Sequence, residues 1–108
     1  MIRAVALVLL LMPLPAMAQG EGRFNAFGIG TASCATWSHE PLIDAAVEGW
    51  ILGYWTGLNV GGRTNRVGQS TDAKGIVGEV QRECSQRPSI PLWQAAYNVY
   101  ARLLREGR

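Results

Sequence analysis

The sequence holds one histidine and two cysteines, and that scarcity removes most catalytic and metal-binding chemistry. Hydrolytic catalysis needs a nucleophile with its base, two positioned carboxylates, or a metal. Ser38-His39 has no visible acid to orient it, and the adjacent helix start assigns this pair a capping or surface role. Cys34 and Cys84 do not form a C-x-x-C pair, which argues against a thiol oxidoreductase. His39 stands at no recognisable metal-ligand spacing. Gly28-Ile29-Gly30 stops short of a dinucleotide fingerprint, because Ser33 occupies the place of the third glycine and no strand precedes it. The glycines and arginines between Val60 and Ser70 lack the glycine-lysine core of a phosphate loop. Asp44 and Glu48, four apart, share a helix face, and such pairs usually form a solvated surface. The expectation is a protein without enzymatic activity, cofactor or metal.

Charge is sparse as well, at 17% of residues. Once Arg3 is set aside with the leader, nine Lys/Arg face eight Asp/Glu, a net of about +1. The basic residues are scattered over helices and loops, with no stripe suited to nucleic acid or an anionic membrane. Long apolar runs are confined to Ala4–Met12, about half of the ~20 residues that span a bilayer. With Arg3 before it, Pro13 and Pro15 after it and Ala16-Met17-Ala18 as a cleavage site, this run predicts a secretory signal over 1–18. No lipobox cysteine follows. The chain is therefore expected in the periplasm, without stable membrane insertion.

About 90 residues follow the leader, one domain's worth, and a core of that size gives thin stability without a staple. An oxidising compartment makes a Cys34–Cys84 disulfide the expected staple; free thiols or an intermolecular bridge are the alternatives. Closing a loop of about 50 residues stabilises a fold by about 4 kcal/mol in the chain-entropy model, a large share of a ~5–15 kcal/mol total.

The glycine-rich segment 19–31 reads as a flexible arm, and 32–108 as a single helical domain. A short helical turn is expected within Ala32–Ser38. Ser38, Glu40 and Pro41 start a main helix from about Glu40 to Asn59. Val60–Ser70 is a glycine-broken loop. A second helix runs from Asp72 or Ala73 to about Gln86, with Ile76 or Val77, Val80 and Cys84 on its apolar stripe. Arg87-Pro88 ends it, and a third helix runs from about Ile90 to Glu106, stopped by Gly107. The fold class is all-α: a small bundle of three main helices plus a short N-terminal helical turn, stapled by one disulfide.

The densest apolar and aromatic run after the leader, Gly49–Leu58, is the expected centre of this bundle. As a helix it aligns Ala45, Gly49, Gly53 and Gly57 into a ridge almost without side chains, with Trp50, Ile51, Tyr54, Trp55 and Leu58 around it. Three interior glycines cost about 1 kcal/mol each relative to alanine, so close contact with another helix is expected to offset them. The third helix, through Ala95 and Ala96, and a second copy in a homodimer are the two choices. Trp50 and Trp55 lie roughly 140° apart around a helix, so they cannot both face one neighbour. Trp50, Tyr54, Trp55 and Trp93 are the candidate partner-binding aromatics.

The cysteine ahead of the main helix with Trp37 nearby, the W-x-x-G-Y-x-x-G run Trp50–Gly57 followed by Asn59, the Asp72–Ile76 segment and Glu83-Cys84 give a layout that resembles the HdeA/HdeB acid-stress chaperones. The Tai-type immunity proteins of type VI secretion are similar in size, export and helical class. The first resemblance implies a dimer that dissociates and partly unfolds in acid to hold protein clients. Protonating every carboxylate takes the mature charge from about +1 to +9, which favours such expansion. The second implies tight binding to one protein partner at neutral pH.

Overall fold

A computed structural model describes residues 24–108. The leader and the first part of the arm lie outside the described residues. Among those described there are three α-helices, α1 (Pro41–Gly61), α2 (Ala73–Gln86) and α3 (Leu92–Arg105), preceded by two 3-10 turns at Gly28–Thr31 and Cys34–Thr36. Among the described residues the only β-like pairing is an isolated bridge between Ser33 and Pro91. The all-α bundle with one disulfide is the observed architecture.

Local chemistry sets the element ends. Pro41 opens α1, where its missing N–H costs nothing. The expected Ser38 cap is only a long contact, with the Glu40 amide donating to Ser38 Oγ at 3.4 Å before the helix begins. Of the three candidate caps for α2, Asp72 is used: its Oδ1 accepts from the Gly75 amide at 2.8 Å. Gly107, at φ +68°, turns the chain out of α3, and the amides of Gly107 and Arg108 donate back to Leu104 and Leu103.

The core is apolar, and among the described residues no polar or charged one is buried. Val47, Ile51 and Trp55 of α1 pack against Ile76, Val80 and Cys84 of α2 and Leu92, Ala95, Ala96, Val99, Tyr100 and Leu103 of α3. Each fully buried Val, Leu or Ile contributes about 1.5–3 kcal/mol. In α1 the inward stripe is set by Ile51 rather than by Trp50. Trp50, Tyr54 and Leu58 are half-buried at its edge, while Val47, Ile51 and Trp55 form its centre. On α3, Tyr97 and Leu104 are 46% and 45% exposed, and Ala95 takes a core place.

The N-terminal segment is more structured than its glycine content suggested. Its 3-10 turn at Gly28–Thr31 packs on α1 and α3. A side chain at Gly30 would run into the Trp50 ring, so glycine here lets the indole lie against the backbone. Trp50 Nε1 donates to the Phe27 carbonyl at 2.8 Å, and the Phe24 ring meets Trp93 edge-on at 4.8 Å. Further on, the Cys34 amide donates to Ile90 O and the Leu92 amide to Ala32 O, both at 2.8 Å. The Cys34–Cys84 disulfide, with Cα atoms 5.1 Å apart, ties the same segment to the end of α2. Cys34 is thus held by a backbone pairing and by a covalent bond at once.

Asn59 fastens the loop between α1 and α2. Its Oδ1 accepts from the Val67 amide at 3.2 Å and the Tyr100 hydroxyl at 2.9 Å, and its Nδ2 donates to the Val67 carbonyl at 3.1 Å. Trp55 Nε1 donates to that carbonyl at 2.8 Å, which satisfies the buried indole. Replacing Asn59 by alanine leaves the Val67 amide and the Tyr100 hydroxyl without this acceptor, at a cost of about 1–3 kcal/mol, while the Val67 carbonyl keeps Trp55. Asn59→Ala is expected to lower the thermal midpoint and to speed amide exchange around Val67. An unchanged midpoint would contradict the role given to this side chain.

Candidate docking face

The four-residue repeat of α1 carries two lines of residues. Val47, Ile51, Trp55 and Asn59 point inward; Ala45, Gly49, Gly53 and Gly57 are offset from them by two positions. Two positions are about 200° of rotation, so the second line emerges on the far side of the helix. Among the described residues, a Cβ built on Gly49, Gly53, Gly57 or Gly61 meets nothing within 4 Å. This corrects one expectation: α3 does not fill the glycine ridge, and Ala95 and Ala96 are buried against the opposite side of α1. In the monomer no packing contact offsets the helix cost of these glycines.

The ridge belongs to a wider uncharged face. Leu42 and Val60, one at each end of the same side of α1, are 78% and 80% exposed. Ala45, Ala46 and Thr56 are exposed between them. The helix's two acids lie elsewhere: Asp44 accepts from Trp37 Nε1 at 2.9 Å, and Glu48 lines a groove against Lys74 and Val77 of α2. Asp44 and Glu48 therefore do not act as a pair.

One flank of the face is aromatic. Trp50 and Tyr54 stack with ring centroids 5.0 Å apart. Burial, and then the neighbouring Tyr97, push the Tyr54 phenol above its ordinary range. Beyond Tyr54 the surface continues into a groove of about 500 Å³ lined by Gly57, Leu58, Gly61, Tyr100 and Leu104, with Arg63 at its edge. Of the four candidate aromatics, Trp55 is buried at 3% exposure and hydrogen-bonded, so it serves the core. Trp50, Tyr54 and Trp93 remain partly exposed. Leu42, Val60, Tyr97 and Leu104 are further exposed apolar side chains of this surface. The signal for the first two was available, since both lie opposite Ile51 on a helical wheel.

Small residues along a helix allow a partner's backbone to come close, and exposed apolar side chains release water when covered. The arrangement suits docking of an apolar helix or segment. Among the described residues no group of three His, Cys, Asp or Glu could hold a metal, and no helix is long and apolar enough to cross a membrane. Comparison with protein-family models, curated proteins and solved structures gives no match for this chain.

A methyl group at position 53 finds open space and removes the glycine's conformational cost. Gly53→Ala should therefore stabilise the monomer by about 0.5–1 kcal/mol. For a domain of this size that is a rise of a few °C in the thermal midpoint, by roughly 4–8 °C per kcal/mol. A drop in the midpoint of the dilute monomer would mean that the ridge is packed after all.

Proposed function

We propose that this chain is an exported protein-binding protein that docks its partner on the outer face of α1, as a periplasmic chaperone of the HdeA/HdeB kind. The observation that carries the reading is the uncharged face from Leu42 to Val60, glycine-lined and open in the monomer. Contiguous exposed apolar surface on a small protein marks an interaction site, and helix glycines with no packing role inside the monomer fit a face kept flat for a partner. Neither an enzymatic role nor a cofactor is part of this reading.

A second copy is one partner the face suits. Leu42 and Val60, Ala45 and Gly57, Ala46 and Thr56, and Gly49 and Gly53 lie at equal distances on either side of Ile51. Two such helices crossing antiparallel about a two-fold axis at Ile51 bring bulky ends together over about 27 Å and leave the small centre for close approach. No like charges meet across that contact. In acid the dimer would separate under its own positive charge and free the face for clients.

One observation favours the alternative, an immunity-type protein that neutralises a toxin or effector. The core contains no charged residue, so protonation leaves its packing intact, and the face is already open at neutral pH. That suits a preformed site for one dedicated partner.

Aggregation of an acid-unfolded client at about pH 2–3, where carboxylates are protonated, tests the chaperone reading. The disulfide-bonded protein is expected to suppress it and Gly53→Arg to suppress it much less, because a charged side chain would stand in the middle of the face. Equal suppression by both would remove the face from the mechanism, and no suppression would remove the chaperone. For the alternative, a periplasmic pull-down at neutral pH should recover one stoichiometric partner that Gly53→Arg loses; recovery of none counts against it.

A further inference from the structure

The disulfide lies in the wall of an open groove of about 520 Å³, built from elements other than the docking face. Trp37, Pro88 and the two sulfurs give it an apolar lining, while Ser38, His39 and Arg82 supply polar groups. Its volume is in the range of small-molecule sites, which typically combine apolar walls with a few placed polar groups.

The charges around it are one-sided. Among the described residues no carboxylate lines the groove. Arg82 sits on α2 between Glu79 and Glu83, yet both acids are engaged elsewhere. Glu79 Oε2 accepts from Arg102 at 2.6 Å, and Glu83 Oε1 accepts from Asn98 Nδ2 at 3.1 Å and stands 3.7 Å from Arg87 Nε. Asp44, the acid closest to the tryptophan, accepts from Trp37 Nε1 at 2.9 Å, and Glu40 is outside the groove lining. Among the described residues Arg82 has no acidic partner within ion-pair distance. Ser38 Oγ receives only the long contact from the Glu40 amide, so its hydroxyl proton is free to be donated. Ser85 contributes less, because its hydroxyl proton already goes to the Arg82 carbonyl at 2.7 Å.

We propose that this groove binds a carboxylate carried on an aromatic or short aliphatic body. The Arg82 guanidinium takes the carboxylate in a two-pronged hydrogen bond, a geometry a planar guanidinium matches. His39 and the Ser38 hydroxyl donate to its remaining lone pairs, and the body lies along Trp37, Pro88 and the disulfide. The same chemistry is offered by a small organic acid and by the free C-terminus of a peptide ending in an apolar residue.

Titration of the isotope-labelled, disulfide-bonded protein followed by amide and indole NMR shifts tests this, with four probes: benzoate, benzamide, and the tripeptide Ala-Ala-Phe with a free or an amidated end. Benzoate or the free-acid tripeptide is expected to produce saturable shifts at the Trp37 indole and at the Ala35 and Ser85 amides. The neutral counterparts should bind at least about tenfold more weakly, a difference of about 1.4 kcal/mol. Whichever acid binds tighter identifies the source. Arg82→Gln should lose about tenfold, and Arg63→Gln, on the far loop, should lose nothing. The exposed position of Arg82 leaves the fold of the variant intact, which unshifted core resonances confirm. Absence of saturable shifts with either acid, equal binding of the neutral probes, or unchanged affinity in Arg82→Gln would each overturn the assignment.

Discussion

The structure depends on burial of a single line of α1, Val47, Ile51, Trp55 and Asn59. The first three fill the centre of the core, and Asn59 holds the following loop and the Tyr100 hydroxyl. Each step is one apolar or satisfied polar side chain per turn, all on the side that faces α2 and α3. Because this line repeats every four residues, the glycine line two positions away is carried to the opposite side for its whole length. The core and the docking face are thus two consequences of one periodicity.

The staples follow from the small size of that core. Six large side chains, from Val47 to Leu103, are fully buried, and the N-terminal segment adds Cys34 to them, with Ile29, Ala32 and Trp37 packed alongside. It is bound further by the disulfide to α2, by backbone hydrogen bonds to the α2–α3 connection and by the Trp50 indole to α1. Trp50 therefore has two relations at once. One edge is covered by the arm at Phe27 and Gly30, while the ring stacks on Tyr54 toward the aromatic flank of the face. Movement of the arm would alter that flank, which links the N-terminal segment to the surface proposed for docking.

Helix order, the α2 and α3 limits and the cysteine pairing were legible because each rests on local signals: Asp72 and Pro91 at helix starts, Arg87-Pro88 and Gly107 at ends, and an even cysteine count. What stayed open was the rotation of α1. Trp50 and Tyr54 are as bulky as Ile51 and Trp55, so apolar size alone did not say which pair faced inward. The indole hydrogen bonds decide it, since Trp55 reaches a loop carbonyl 12 residues away and Trp50 reaches the arm. Both partners are set by tertiary structure. The order in the arm was hidden for the same reason, because its 3-10 turn is fixed by contact with Trp50. The carboxylate groove needs Arg82 and His39, 43 positions apart in the chain, brought together by the disulfide. No local spacing in the sequence announces it.

The outer side of α1 is open in the monomer, and the proposed function requires it to be covered in the complex. Relaxation of the Gly49, Gly53 and Gly57 α-protons by a soluble paramagnetic co-solute measures this directly, first in dilute protein and then with bound client or at high protein concentration. Strong relaxation at dilution that falls on binding is the result expected of this structure. Glycine protons already shielded in the dilute monomer, or equally relaxed in the complex, would contradict it.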